Sequence, residues 1–251
     1  MSPRPRFSFN FHAEGHAFSA VFRRPVLVPI EAQASTSLPT IGGHAQARVD
    51  NFHIPRLVTF KAGHTHVTGS QQDENTFTTQ ATTTIEGLRI LDVLTADRIV
   101  ARLTSEHKRD EAEGHILAIG STFENLKIGG FDVKVVLRHD LLLNCKTHDD
   151  LAKQVASDGK NGKIAATKGG LTVCSLVDEI VTDFPGLSPK DKKKHILQIP
   201  HFGTLSFAEV LSEAGTKTLT MLRFDLGSPD DGSGTAAEAR TNGQPLPPVG
   251  P

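Results

Sequence analysis

Val49-Asp50-Asn51-Phe52-His53-Ile54, Ile85-Glu86-Gly87-Leu88-Arg89-Ile90 and Phe123-Glu124-Asn125-Leu126-Lys127-Ile128 are three writings of one phrase: apolar, acidic, Asn or Gly, apolar, basic, Ile. Their starts lie 36 and then 38 residues apart, the period of a repeated supersecondary unit. In a strand of strict period two, the first apolar residue and the next two would point to opposite faces. Asn and Gly accept positive φ most readily, so a β-bulge at Asn51, Gly87 and Asn125 would return the later apolar side chains to the core. A tight turn at the same residues would use the same backbone. The acidic and basic members then stand outside the core as a solvated face with modest cross-strand pairing. Residues 44–69 also lie on 80–105 at the offset of 36, with Ala45, Ile54, Thr59 and Thr68 matching Ala81, Ile90, Thr95 and Thr104.

Outward from the phrase, His44 to Leu143 reads entirely as strands, Thr-rich and β-branched, with Thr76 to Ile90 and Asp97 to Leu103 the clearest. Towards the N-terminus, Phe7, Phe9 and Phe11 share one face, and Phe18, Ala20 and Phe22 share one face of a second run. Ala13-Glu14-Gly15 between them is expected to be a hairpin turn. Arg24-Pro25 through Pro29 and on to Gly42-Gly43 is expected to be an edge strand and loop. Later in the chain, strands are expected at Gly170 to Val177, Gly203 to Phe207 and Lys217 to Phe224, and a hairpin turn at Asn161-Gly162. Short helices are expected at Asp149 to Ser157 and at Ser188-Pro189-Lys190-Asp191, where Ser is the N-cap and Pro the first helical residue. The expected fold is all-β: long, mostly antiparallel strands in a sandwich or closed sheet, with internal repeats of about 36 residues and two short helices. A β-solenoid is the alternative. Residues 1–241 are expected to form a single repetitive domain, and the Pro- and Gly-rich residues 242–251 a disordered tail.

Composition narrows the function. A chain of 251 residues with 37% hydrophobic residues can bury a real core. A net charge of −1 and a pI of about 6.9 supply no basic field to collect phosphates, so nucleic acid is not an expected partner. No apolar run reaches the length of a membrane span. The basic start, Met1 to Phe7, has no apolar stretch behind it, so no signal peptide is expected. All the aromatic residues are Phe, 14 of them, with no Trp or Tyr, which argues against sugar platforms and single-strand grooves. Cys145 and Cys174 are expected to be reduced.

Among twelve histidines, His64 and His66 stand two apart in an expected strand, a spacing that presents two imidazoles on one face as a candidate transition-metal pair. The phrase alignment sets them against Val100 and Arg102, on the face away from the core. A cupin-type site would want a Glu a few residues on, whereas the nearest, Glu74, lies beyond an expected turn. A second cluster, His139-Asp140, Cys145 and His148-Asp149-Asp150, has the residue types of a thiol nucleophile with its base, or of a zinc site. Cys145, however, closes the apolar run Leu141-Leu142-Leu143, as a small buried hydrophobe does. Gly159-Lys160-Asn161-Gly162-Lys163 lacks the Ser or Thr that a phosphate loop needs after its Lys, and no nucleophile elbow or dinucleotide fingerprint occurs.

Ala81-Thr82-Thr83-Thr84-Ile85-Glu86-Gly87-Leu88, Leu94 to Ala101 and Ser121 to Gly130 resemble the bacterial surface proteins called the choice-of-anchor P family. So do Phe202-Gly203-Thr204-Leu205-Ser206-Phe207, Leu219 to Phe224 and Thr235 to Arg240. The resemblance implies a secreted, repetitive β protein without known catalysis, although this chain is richer in His and Lys and shows no leader. The sequence thus points to a non-catalytic structural or interaction β protein that self-associates or binds a protein partner through open strand edges. The alternative is a metal-binding β protein or a metal-dependent enzyme using His64 and His66.

Overall fold

The computed structural model describes residues 9–157, 166–167, 170–185 and 195–245. β1 (Phe9–Arg24) opens the chain, and β2 (Val28–Gln33) and β3 (Thr36–Ser37) pair along it. An antiparallel meander follows: β4 (Gly43–Ile54), β5 (Val58–Gln71), β6 (Thr76–Ile90) and β7 (Leu94–Lys108). It is extended by β8 (His115–Leu117), β9 (Thr122–Glu124), β10 (Lys127–Ile128) and β11 (Phe131–Leu137). Two helices come next, α1 (Asp140–Asn144) and α2 (His148–Ser157). The last strands are β12 (Ala166–Thr167), β13 (Leu171–Ser175), β14 (Val177–Thr182), β15 (Ile196–Ile199), β16 (Gly203–Glu213), β17 (Thr216–Leu226) and β18 (Asp231–Pro245).

These strands make two nine-stranded antiparallel sheets. The front sheet runs β12-β13-β16-β17-β18-β1-β2, with β15 beside β16 and β3 beside β1. The back sheet runs β14-β11-β10-β7-β6-β5-β4, with β8 and β9 beside β7. Among the described residues each sheet has two open ends, so the fold is a sandwich and neither a closed barrel nor a solenoid.

Alternation along the strands sends Phe side chains into the space between the sheets, where Phe9 stacks on Phe77 with ring centroids 4.4 Å apart and Phe18 meets both Phe60 and Phe224 at 6.1 Å. The sheets come close at Gly63, where a Cβ would stand 2.8 Å from that of Ala17, and at Gly15, where one would stand 2.5 Å from Thr83 Oγ1. Hydroxyls tie the layers there. Thr83 Oγ1, bonded within the back sheet to Thr65 at 3.2 Å, donates across to the Glu238 carbonyl at 2.8 Å, and Thr79 bonds Thr241 across the layers. Because these buried polar groups satisfy one another, they lock the two sheets in one register.

Positive φ occurs where the phrase places it, at Asn51 (53°), Gly87 (64°) and Asn125 (48°). In register these three alternate with Lys61 and Asp97 to form one line across the back sheet. At each crossing two successive residues face outward, Asp50-Asn51, Glu86-Gly87 and Glu124-Asn125 among them, so the apolar parity resets on every strand together. The acidic and basic members of the phrase do lie outside the core, as Asp50 and His53, Glu86 and Arg89, and Glu124 and Lys127.

The front sheet carries a second such line, with the opposite sense. Here the doubled residues face inward: Phe207-Ala208, Met221-Leu222, Ala236-Ala237 and Ala17-Phe18, all eight fully buried. Positive φ again falls on alternate strands, at Ala208 (47°) and Ala237 (53°).

Several expectations need correction. Ala13-Glu14-Gly15 is not a hairpin turn: β1 is one 16-residue strand, and its odd Phe set gives way to the even set through the inward pair Ala17-Phe18. Residues 242–245, expected to be tail, continue β18, where Asn242 pairs with both His12 and Thr216. Helix α2 matches the expected segment and is capped reciprocally, Thr147 N donating to Asp150 Oδ2 at 3.2 Å and Asp150 N to Thr147 Oγ1 at 3.1 Å. The other helix, α1, corrects the end of the stretch expected to be all strand, since Asp140 to Leu143 are helical. The expected helix at Ser188–Asp191, the turn at Asn161-Gly162 and the end of the expected tail, 246–251, lie outside the described residues. Cys145 and Cys174 are free thiols, both buried.

Candidate functional site

The inward doubling on the front sheet has a consequence on its outer face. Two polar residues that flank a doubled apolar pair are separated by three positions, which a regular strand would send to opposite faces, yet here both point outward. The pairs are His16 and Ser19 on β1, Thr235 and Glu238 on β18, Thr220 and Arg223 on β17, and Ser206 and Glu209 on β16. In register they make a grid of two rows. Ser19, Thr235, Arg223 and Ser206 face one another across strands in the first row, and His16, Glu238, Thr220 and Glu209 in the second.

Hydrogen bonds close the grid. His16 Nε2 lies 3.1 Å from both Ser19 Oγ and Thr235 Oγ1, and the two hydroxyls are 3.1 Å apart. On the other side of the ring, His16 Nδ1 stands 3.8 Å from Glu238 Oε1, while Thr220 donates to Glu238 Oε2 at 3.0 Å. Arg223 spans the rows with a two-pronged contact to Glu209, Nε to Oε2 at 2.7 Å and Nη2 to Oε1 at 2.9 Å, and touches Ser206 and Asp225. His195 approaches Glu209 at 3.6 Å. Burial would raise the Glu209 carboxyl, but its bonds to His195 and Arg223 outweigh burial and hold it down at about 2.

Two shallow depressions border the grid, the first lined by His16 and the second by Ser19. One, of about 410 Å³, is walled by Glu14, His16, Glu238, Arg240 and the hydroxyls of Ser35 to Ser37. The other, of about 340 Å³, lies beside Ser19 and Thr235 between Val21 and Ile30 on one side and Arg223 and Asp225 on the other. A polar network this ordered, open on two sides, suits acid–base work or the capture of a polar ligand.

His64 and His66 lie elsewhere. They project from the outer face of the back sheet, His64 in register with Arg48 and Thr84, and His66 with Gln46 and Thr82. A depression of about 190 Å³ joins His64 to Arg48, Thr84, Glu86 and Arg98. Both guanidinium groups there are already paired, Arg48 with Asp50 at 2.8 Å and Arg98 with Glu124 at 3.2 Å, and among the described residues no group of three or more His, Cys, Asp or Glu is placed to hold a metal ion. In the second cluster, His148 Nδ1 bonds Ser212 Oγ at 3.2 Å while its backbone N–H goes to Glu113 at 2.8 Å. Burial raises the Cys145 thiol, the opposite of what a nucleophilic thiolate needs.

A family model described as a domain of unknown function (DUF8256) matches residues 9–165. The chain belongs to the DUF8256 family. The DUF8256 match spans β1 to β11 and both helices, so it contains His16 and Ser19, whereas β16, β17 and β18, which complete the grid, lie beyond it. Comparison with the curated proteins and with the solved structures yields no match. Among the described residues no helix is long and apolar enough to cross a membrane.

Proposed function

We propose that the chain is an interaction protein that self-associates by pairing β4 with β4 of a second copy. The observation that carries this reading is the open side of β4: twelve residues long, it pairs among the described residues with β5 alone. Such an edge offers a row of backbone donors and acceptors to an incoming strand. Its inward residues Ala45, Ala47, Val49, Phe52 and Ile54 are half-buried against the core, so a further strand would complete their burial.

The second copy is favoured by complementarity. A two-fold antiparallel seam centred on Ala47 sets Val49 against Ala45 and Asp50 against His44 of the other chain, and keeps Arg48 away from its own copy. The seam ends at Asp50, before the positive-φ Asn51, whose bulge would find no matching bulge in a second β4. The resemblance to choice-of-anchor P surface proteins accords with this role.

Light scattering across a dilution series tests it. The native chain should be a dimer that dissociates on dilution, and Val49→Lys, which points a charge into the seam while its stem still covers the half-buried position, should be monomeric with unchanged circular dichroism. A native chain that is monomeric at every concentration, or association untouched by Val49→Lys, overturns the reading.

A further inference from the structure

We propose that Ser19, His16 and Glu238 form a hydrolytic centre that cleaves short-chain acyl esters, independent of the β4 seam because β1 and β18 belong to the other sheet. The roles follow from which atom meets which. In the tautomer that leaves Nε2 unprotonated, His16 presents Nε2 to the Ser19 hydroxyl at 3.1 Å, a place shared with Thr235, and faces the Glu238 carboxylate with Nδ1 at 3.8 Å, longer than a hydrogen bond, so that Glu238 orients the ring by its charge. Glu238 is itself held by Thr220. Because Glu238 does not touch substrate, it is a positioning residue, while Ser19 and His16 are catalytic.

Three further features fit a reaction centre. The His16 and Glu238 side chains are 16% and 28% exposed, sheltered enough to fix the ring yet open to solvent. Ser19 lines the depression whose Val21 and Ile30 suit a short acyl chain and whose Arg223, already held by Glu209 and Asp225, leaves a developing oxyanion to a neutral donor. Thr235 Oγ1, 3.1 Å from Ser19 Oγ, is placed to donate to that oxyanion once the serine oxygen has moved onto the substrate.

In the acylation step Ser19 Oγ bonds to the ester carbonyl carbon and its proton passes to His16 Nε2. The carbon–alkoxy bond then breaks, and the leaving oxygen takes the proton back from His16. Water, deprotonated by His16, next attacks the acyl-serine, releasing the acid and returning the proton to Ser19 Oγ. No oxidant or cofactor enters.

The full chain should react with an alkyl fluorophosphonate, the serine oxygen bonding to phosphorus, fluoride leaving and the proton passing to His16. Mass spectrometry should find one phosphonyl group per chain on the peptide that carries Ser19. Ser19→Ala should abolish the adduct and the turnover of p-nitrophenyl acetate. His16→Gln should slow labelling at least tenfold and remove its pH dependence, and Glu238→Gln should slow labelling while leaving it on Ser19. Peptide mapping of the native chain decides the matter even if a variant misfolds. An unlabelled native chain, an adduct on another residue, or labelling that persists in Ser19→Ala overturns the proposal.

Discussion

Replacing Glu209 with Gln should cost stability in a way that disappears in acid. The carboxylate is only 13% exposed, and its contacts with His195 and Arg223 lower its pKa from 4.5 to about 2. At about 1.36 kcal/mol per pKa unit, that shift corresponds to about 3 kcal/mol of native-state stabilisation. The folded pKa is depressed, so the stabilisation is complete above the unfolded carboxyl's value and is lost as pH falls from 4.5 towards 2. Gln keeps the size and one acceptor but not the charge. Arg223, 42% exposed and also 3.2 Å from Asp225, can turn to water, which limits the secondary penalty. Glu209→Gln should therefore be about 2–3 kcal/mol less stable at neutral pH, and the gap should close as pH approaches 2. Urea unfolding of both proteins at a series of pH values reads this directly, since every other carboxylate is common to the pair. A gap that stays constant with pH, or is absent at neutral pH, would show that the Arg223–Glu209 contact does not carry the charge energy assigned to it.

Gly87→Ala should lose about 1–2 kcal/mol by urea denaturation, because φ of +64° strains any Cβ and this one would also stand 3.1 Å from that of Lys61; full native stability would remove the backbone argument for the back-sheet line. Burial holds the His107 imidazole below its ordinary pKa, against an opposing pull from Glu111, so the unfolded chain takes up that proton first and stability should fall as pH drops below about 6.5. A melting-temperature series should show that slope weakened in His107→Leu, and an unchanged slope would refute the assignment. The Cys174 thiol, pushed up to about 12 by burial, should resist alkylation until the protein is denatured, and rapid native modification found by mass spectrometry would count against its burial.

What was legible in the chain depended on which residues carry positive φ. In the back sheet they are Asn51, Gly87 and Asn125, types that announce the conformation, so both the bulge and the outward charges could be inferred. In the front sheet they are Ala208 and Ala237, which announce nothing, and the parity change in β1 resembled the junction of two strands. The candidate site was hidden for the same reason. His16 and Ser19 fall on opposite faces of a regular strand, and Glu238 is more than two hundred residues away. One signal was present: a polar–apolar–apolar–polar pattern in four strands, at His16 to Ser19, Ser206 to Glu209, Thr220 to Arg223 and Thr235 to Glu238. It becomes readable only once those segments are known to be continuous strands paired in that order. That β4 is a strand, by contrast, follows from the alternation of His44 to Ile54, whereas its place at the sheet's open edge does not.

The seam between β1 and β18 also sets a timetable. His16 and Thr235 are 219 residues apart, so on a ribosome β1 has to wait for almost the whole chain before its long neighbour exists. The β4 to β7 meander needs no such wait, since each strand pairs with the next across a short turn, and loop closure there is cheap in entropy. The back sheet should therefore assemble first, with the Phe-rich inner face of β1 kept from unwanted partners until β18 arrives.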